Sequence, residues 1–314
     1  MNAGFVAIVG QPNVGKSTLL NHLLGQKIAI ASPKPQTTRN RILGVKNIEG
    51  AQLVLVDTPG LHRPSGHARS QLNRFMMDEA LAAIAEVDAI LLLVEAPVAE
   101  EAKRIGKEGY RLPPPTRFVL DTIKESKKPA VLAVNKVDLL HNKQLMLPVM
   151  DAWSKAHDWK ALVPISAEKG IGTGHLLREL VALLPEGERL FPEEMLTDRA
   201  ERWIAAEMIR EQVFLLTKQE VPYAVAITID AWEEREQKGE HAANVMIDAT
   251  VHVEKEPQKR ILVGEGGRMV REIGTRARNE IGQLLDCPVH LRLFVRIDPE
   301  WTQNRSGLQK MGYE

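Results

Sequence analysis

Cysteine is nearly absent from this 314-residue chain. Cys287 stands alone, so no internal disulfide can form, and the composition fits a reducing compartment. It lies in Leu284-Leu285-Asp286-Cys287-Pro288, where a small buried hydrophobe is expected rather than a nucleophile. Net charge is absent too: 41 basic residues face 41 acidic ones, so any nucleic-acid surface must be a local patch. No apolar run is long enough to span a bilayer, and no charged–apolar–small pattern opens the sequence. The expected compartment is the cytoplasm. With 44% hydrophobic and 26% charged residues the chain reads as globular, and its length allows two domains with separate cores.

What is present is concentrated in short loops. The first is Gly10-Gln11-Pro12-Asn13-Val14-Gly15-Lys16-Ser17, fed by the apolar run Phe5–Val9. A helical stretch, Ser17–Leu24, leaves it and stops at Gly25. A strand-to-helix context gives the pattern G-x-x-x-x-G-K-S its physical meaning. Glycines at both ends let successive N–H groups curl into an anion nest, and the helix N-terminus adds unpaired donors behind it. Lys16 can reach the β- and γ-phosphates, and the Ser17 hydroxyl can ligate a bridging Mg2+, with Thr18 beside it.

The polar stretch Ser32–Arg41 reads as a loop, and its paired Thr37 and Thr38 suggest a second Mg2+ ligand that engages only with a γ-phosphate. The strand Gln52–Val56 ends in Asp57-Thr58-Pro59-Gly60. A carboxylate there can hold Mg2+ through water, and Gly60 can bring its N–H to the γ-phosphate. His62 and His67 read as surface residues. A helix over Ser70–Val87 and a buried strand over Ala89–Val94 follow. The segment from Glu95 to about Arg117 reads as a surface excursion.

The strand Pro129–Val134 delivers Asn135-Lys136-Val137-Asp138. A carboxylate at Asp138 can accept from the ring N–H and exocyclic amine of guanine, and adenine offers neither donor. Asn135 can tie this loop to the phosphate loop, and the Lys136 stem can lie over the base. Ser166-Ala167 offers N–H groups to the guanine oxygen, and a helix over Gly174–Leu184 closes the unit. These five motifs in order are the set of a GTPase on a mainly parallel sheet with helices on both faces. Leu61 stands where signalling GTPases carry a water-orienting glutamine, which predicts a slow intrinsic hydrolase.

Beyond a linker at 187–199 the pattern changes. A helix over Asp198–Thr217, alternating strands through Val225–Ile229 and Val245–Val253, a G-x-x-G loop at Gly264-Glu265-Gly266-Gly267, a helix carrying Val270–Leu284 and a strand over Leu291–Ile297 follow. The charged stretch Glu233–Glu240 reads as the hairpin connection. This is the order of a KH-type fold, whose G-x-x-G loop clamps a sugar-phosphate backbone. Lys259, Arg260, Arg268, Arg271, Arg276 and Arg278 are candidate phosphate contacts, although interleaved Glu256, Glu265, Glu272 and Glu280 also fit a merely solvated face. Gly106-Lys107-Glu108-Gly109 follows no strand and is rejected.

Taken together, Gly10–Ser17, Gln36-Thr37-Thr38-Arg39, Asp57–His62, Asn135–Asp138, Ser166-Ala167 and the KH unit ending in Leu308–Tyr313 resemble the bacterial Era family of GTPases over nearly the whole length. The resemblance implies a P-loop GTPase domain at 1–186 and a type II KH domain at 200–314. It implies GTP or GDP held by Gly10 to Thr18, Asp57 to Leu61, Asn135, Lys136, Asp138, Ser166 and Ala167. Lys16, Thr38 and Gly60 would act in catalysis, and Ser17, Thr38 and Asp57 would hold Mg2+. It further implies K+ beside Asn13, a residue that reads equally as a structural turn position. The KH unit would bind the 3′ region of 16S rRNA through Lys259, Arg260, Gly264, Glu265, Gly266, Gly267, Arg268 and Arg271. The implied setting is 30S subunit assembly, as a monomer with loose inner-membrane association. Glu265 and Gly266 depart from the basic or polar loop interior common in the family. Two other functions fit the same motifs: an RNA-binding assembly factor with incidental GTP turnover, and a membrane-associated cell-cycle regulatory GTPase.

Overall fold

The apolar runs that precede the motifs become adjacent strands of one sheet in a computed structural model, which describes residues 1–61, 70–97, 105, 109–140, 142–235 and 243–313. In chain order these are β1 (Asn2–Val9), α1 (Lys16–Leu24), β2 (Ile42–Ile48), β3 (Ala51–Asp57), α2 (Gln71–Glu86), β4 (Ala89–Glu95), α3 (Thr116–Ser126), β5 (Ala130–Asn135), α4 (Met146–Ser154), β6 (Ala161–Pro164) and α5 (Thr173–Val181). The strand order is β2-β3-β1-β4-β5-β6. All neighbours are parallel except β2, which runs antiparallel to β3 at the edge.

Both faces of the central strands are covered, so the strands read as unbroken apolar runs rather than alternating ones. Val9, Val56, Leu92, Val94, Leu132 and Val134 point to one face, where Ile84 of α2, Val119 of α3 and Trp153 of α4 complete the core. Gln52 is an exception to the apolar rule, with no exposure on β3. Its side chain accepts from the Leu190 and Phe191 N–H groups and donates to the Asn47 side chain and the Phe191 carbonyl. A buried amide this fully bonded is stable. It also pins 190–191 against β3.

The described residues fall into two compact units, one within 1–65 and 76–198, the other within 66–75 and 199–314. The second unit contains α6 (Glu201–Leu216), β7 (Ala226–Arg235), β8 (Asn244–Val253), α7 (Glu256–Val263), α8 (Arg268–Leu285), β9 (Val289–Ile297) and α9 (Arg305–Lys310). Its sheet order is β7-β8-β9, antiparallel then parallel. The helix α7 ahead of the G-x-x-G loop adds an element to the expected order. The Gln258 side chain holds its start by accepting from the Lys255 N–H, a bond set by backbone geometry that spacing does not show. Cys287 is half-buried rather than buried, because it follows the left-handed C-cap Asp286 of α8, where the chain turns outward. His62, His67, Gly106 to Glu108 and the 236–240 part of the hairpin connection lie outside the described residues.

At the end of β9, Asp298 joins two elements. It accepts from His252 of β8 at 2.7 Å and from Lys310 of α9. Burial alone raises its carboxyl, yet the bonds and charges of His252 and Lys310 outweigh this and hold it below the ordinary range. A depressed carboxylate stabilises the fold above its unfolded value near 4, and that contribution is lost as pH falls through the folded value. Asp298→Asn should therefore destabilise the chain at pH 7 by about 1–3 kcal/mol, with the deficit shrinking below about pH 4. Urea unfolding followed by tryptophan fluorescence checks this, and equal midpoints at pH 7 would refute it.

Candidate nucleotide cleft and nucleic-acid groove

The loop between β1 and α1 is shaped by Gly15, at φ 98°. A Cβ there would come within 2.3 Å of the Asn135 amide nitrogen, so only glycine lets the loops meet. Asn135 is buried and bridges three segments: its Nδ2 donates to the Val14 carbonyl, and its Oδ1 accepts from the Ala167 N–H, both at 2.8 Å. Ser166 is fully buried beside it. Asp138 is exposed in the short turn after β5. Lys136 has φ 64° and its ammonium lies 3.0 Å from Glu95.

Three oxygens converge at the other end of the loop. The Ser17 hydroxyl donates to Asp57 Oδ2 at 2.7 Å, Thr38 donates to the same oxygen at 3.1 Å, and the two hydroxyls are 2.8 Å apart. Thr37 instead bonds Ser32 and the Lys34 carbonyl. Asp57 keeps Oδ1 buried with no hydrogen-bond partner among the described residues. An orphaned carboxylate oxygen beside two hydroxyls is a donor set that fits a hard dication such as Mg2+. Thr58 donates to the Ile8 carbonyl and fixes the strand end.

Lys16 folds back, donating to the Gly10 and Gln11 carbonyls at 3.3 and 3.0 Å. Burial lowers its ammonium to about 8 against the pull of Asp57. Burial likewise raises the Asp57 carboxyl, despite Lys16 and the bonds from Ser17, Thr38 and the Thr58 backbone. Both shifts mark charges taken out of water without full compensation. A phosphate at Lys16 and a dication at Asp57 would reverse them.

Pro12, Asn13, Gly15, Lys16, Ser17, Thr18, Thr38, Gly60 and Lys136 line one cleft of 370 Å³. Its wall also includes Ile30, Ala31, Ser32 and Glu168, which sequence reasoning missed because nothing in their residue types marks them. A Cβ at Gly60 would lie 2.8 Å from Pro12, so the backbone approaches closely there. Leu61 is fully buried among Val9, Val56 and Ala80, and its N–H donates to the Gly10 carbonyl. Pro59 follows Thr58 in the same turn, and Asn13, at φ 66°, donates its amide N–H to the Pro33 carbonyl at 2.8 Å.

In the second unit, Gly264, Gly266 and Gly267 all have positive φ, and the loop lies between α7 and α8. A groove of 390 Å³ beside it is lined by Gly267, Arg271, Gly274, Arg278 and Leu293, among others. Lys259 and Arg260 do not line it. Glu265 pairs with Arg268 at 2.8 Å, and Glu256 lies 3.6 Å from Arg260, so the interleaved acids draw off part of the expected positive charge. Arg271 and Arg278 form no ion pair among the described residues, and they face the groove. Gly274 was not singled out by sequence. A Cβ there would touch Leu293, so glycine keeps the floor open.

Known proteins match both units. A family model described as a 50S ribosome-binding GTPase matches residues 5–136, and a KH domain model matches residues 220–302. GTPase Era of Geotalea daltonii is 45% identical over 313 residues, covering 100% of this chain and 98% of that protein. GTPase Era of Lactobacillus helveticus is 42% identical, with 99% and 96% covered. Two solved Era structures align at TM-score 0.89 and 39% identity, over 100% of this chain and 99% of each. One is a variant from Aquifex aeolicus bound to GDP.AlF4-, and the other holds MgGDPNP and nucleotides 1506–1542 of 16S ribosomal RNA. At this identity and coverage, the chain belongs to the Era family of GTPases.

Proposed function

We propose that the chain is a GTP-hydrolysing switch whose KH unit engages the 3′ region of 16S rRNA during 30S subunit assembly. The observation that carries this reading is the meeting of Thr38 with Ser17 and Asp57. A ligand from the loop between α1 and β2, placed beside the phosphate loop, makes the γ-phosphate readable by the rest of the chain. The solved Era complex with MgGDPNP and the rRNA fragment supports the same pairing of ligands.

In this reading residues 1–186 form the GTPase domain, 187–199 a connector and 200–314 the KH domain. The phosphate loop N–H groups and Lys16 bind the phosphates, and the Gly60 N–H meets the γ-phosphate. Ser17 and Thr38 would hold Mg2+ directly, and Asp57 would hold it through water. The ion supplies charge neutralisation at the β- and γ-phosphates. Asp138, Lys136, Ser166 and Ala167 take the guanine, with Asn135 positioning them. Leu61 cannot orient water, and its burial supports slow intrinsic turnover. The RNA backbone is clamped by Gly264 to Gly267, with Arg271 at the groove and Lys259, Arg260 and Arg268 as outer contacts.

K+ belongs to the proposal through Asn13. Its N–H is used on Pro33, and its amide oxygen is the atom a monovalent cation takes. Hydrolysis should rise several-fold when K+ replaces Na+, whereas a flat titration removes the cation from the mechanism. Loose inner-membrane association of a cytoplasmic monomer completes the reading; no helix among the described residues is long and apolar enough to cross a membrane.

Crosslinking of the wild-type protein to cellular RNA with GTP against GDP tests the whole. The expected result is small-subunit 3′ rRNA enriched with GTP. Recovery of no small-subunit rRNA in either state would overturn the assignment.

A further inference from the structure

Lys136 is tied down from outside the nucleotide cleft. It lines that cleft together with Glu168, but its ammonium lies 3.0 Å from Glu95 at the end of β4. Glu95 does not line the cleft and borders a separate cavity that has only Pro12 in common with it. Among the described residues Glu95 is the sole ion-pair partner of Lys136, and neither Glu168 nor Asp138 pairs with it. With the ammonium held by a residue outside the cleft, the part of Lys136 left to line it is backbone and apolar stem. The backbone places the acid. Glu95 stands opposite Asn135 in the β4–β5 register, and the Ala96 N–H donates to the Asn135 carbonyl at 2.8 Å. A strand end fixed to the residue before Lys136 keeps the carboxylate within reach of a lysine whose own backbone is left-handed, at φ 64°.

We infer that Glu95 is a positioning residue for the nucleotide site: it neutralises Lys136 and stretches its stem across the place of the guanine, so that Lys136 serves the base by packing rather than by charge. Side-chain exposures of 31% and 35% make this a pair of small worth to fold stability. Its effect lies in order instead. A lysine stem has many rotamers to lose when a base settles on it, and a stem already held has lost them beforehand. The inference rests on the reading above that Lys136 takes the guanine; the pairing with Glu95 does not. A stem contact is the same for GDP, GTP and the transition state, so the pair acts on binding and leaves the chemical step alone.

The test measures GDP affinity by displacement of a fluorescent GDP analogue, and GTP hydrolysis, on the full chain. Glu95→Leu, which cannot accept from the ammonium, should weaken GDP binding about three- to fivefold and raise KM for GTP alike, with kcat unchanged within about twofold. Glu95→Gln keeps an acceptor without the charge and should fall between. A carboxylate acting only as a negative charge near an anionic ligand would give tighter binding in both variants. Unchanged or tighter binding therefore overturns the inference, as does a fall in kcat with KM unchanged. Against Lys136→Met, which keeps an unbranched stem and no charge, Glu95→Leu should cost nothing more; losses that multiply overturn the pairing as the cause. Lys136→Ala separates the two readings. If it leaves GDP affinity unchanged, Lys136 does not take the base, and both fall. If it weakens binding while Glu95→Leu does not, the positioning role alone falls. Should Glu95→Leu fail to fold, Glu95→Gln and its cycle with Lys136→Met decide.

Discussion

Asp138→Asn should turn the base preference from guanine to xanthine. The carboxylate of Asp138 only accepts, matching the two donors on the guanine edge. An asparagine places a donor where xanthine carries its second carbonyl and where guanine carries an amine. Sites built to pair a polar edge reject its mismatch by up to about 10⁴-fold. GTP affinity should fall on the order of 10²- to 10⁴-fold, and XTP should bind where the wild-type chain refuses it. Asp138 is exposed, while the bonds that hold the loop run through Asn135, so the fold should not respond. Competition binding with GTP, XTP and ATP measures the switch. Unchanged GTP affinity would mean that the base is not read here.

Gly266→Asp combined with Gly267→Asp should abolish RNA binding while nucleotide affinity is retained as a control for folding. Nothing lies within 4 Å of a Cβ at either position, and aspartate enters the left-handed backbone of both glycines at a smaller cost than most side chains. Gly264 is a poorer choice, because its Cβ would press on Met269 at 2.8 Å and confuse strain with charge. Two carboxylates in a phosphate clamp replace attraction by repulsion, and a loss of roughly 100-fold or more is expected from lost backbone contacts. Fluorescence anisotropy with a 3′-terminal 16S rRNA fragment reads it. Undiminished affinity would place RNA elsewhere on the chain.

The loops that hold chemistry were legible because each follows an apolar strand and uses residue types with few other reasons to occur together. Lys16, Asp57 and Asn135 could be named from spacing, whereas spacing left Thr37 and Thr38 open; the structure joins Thr38 to Ser17 and Asp57, while Asn135 ties the phosphate loop to Ala167. What escaped was what depends on distant partners. The edge strand β2 contains Gly44, Lys46 and Asn47 and gains definition only from β3. The helices α3 and α4 follow irregular or proline-bearing stretches, so their periodicity is hard to isolate. Gln52 is polar yet buried because its partners lie at 190–191, far along the chain. The floor at Gly274 is a property of a helix meeting a strand, which one-dimensional spacing does not encode.

On the proposed reading of Leu61, its burial ties tempo to architecture. A side chain able to steer water would have to sit in a slot made for hydrocarbon, leaving an amide without partners and loosening the core around Val9 and Val56. Quickening this clock by a direct exchange at 61 and weakening its casing are therefore one event. Selection or engineering for faster turnover must recruit its water-handling group from outside that slot, either from another loop or from whatever docks against the protein.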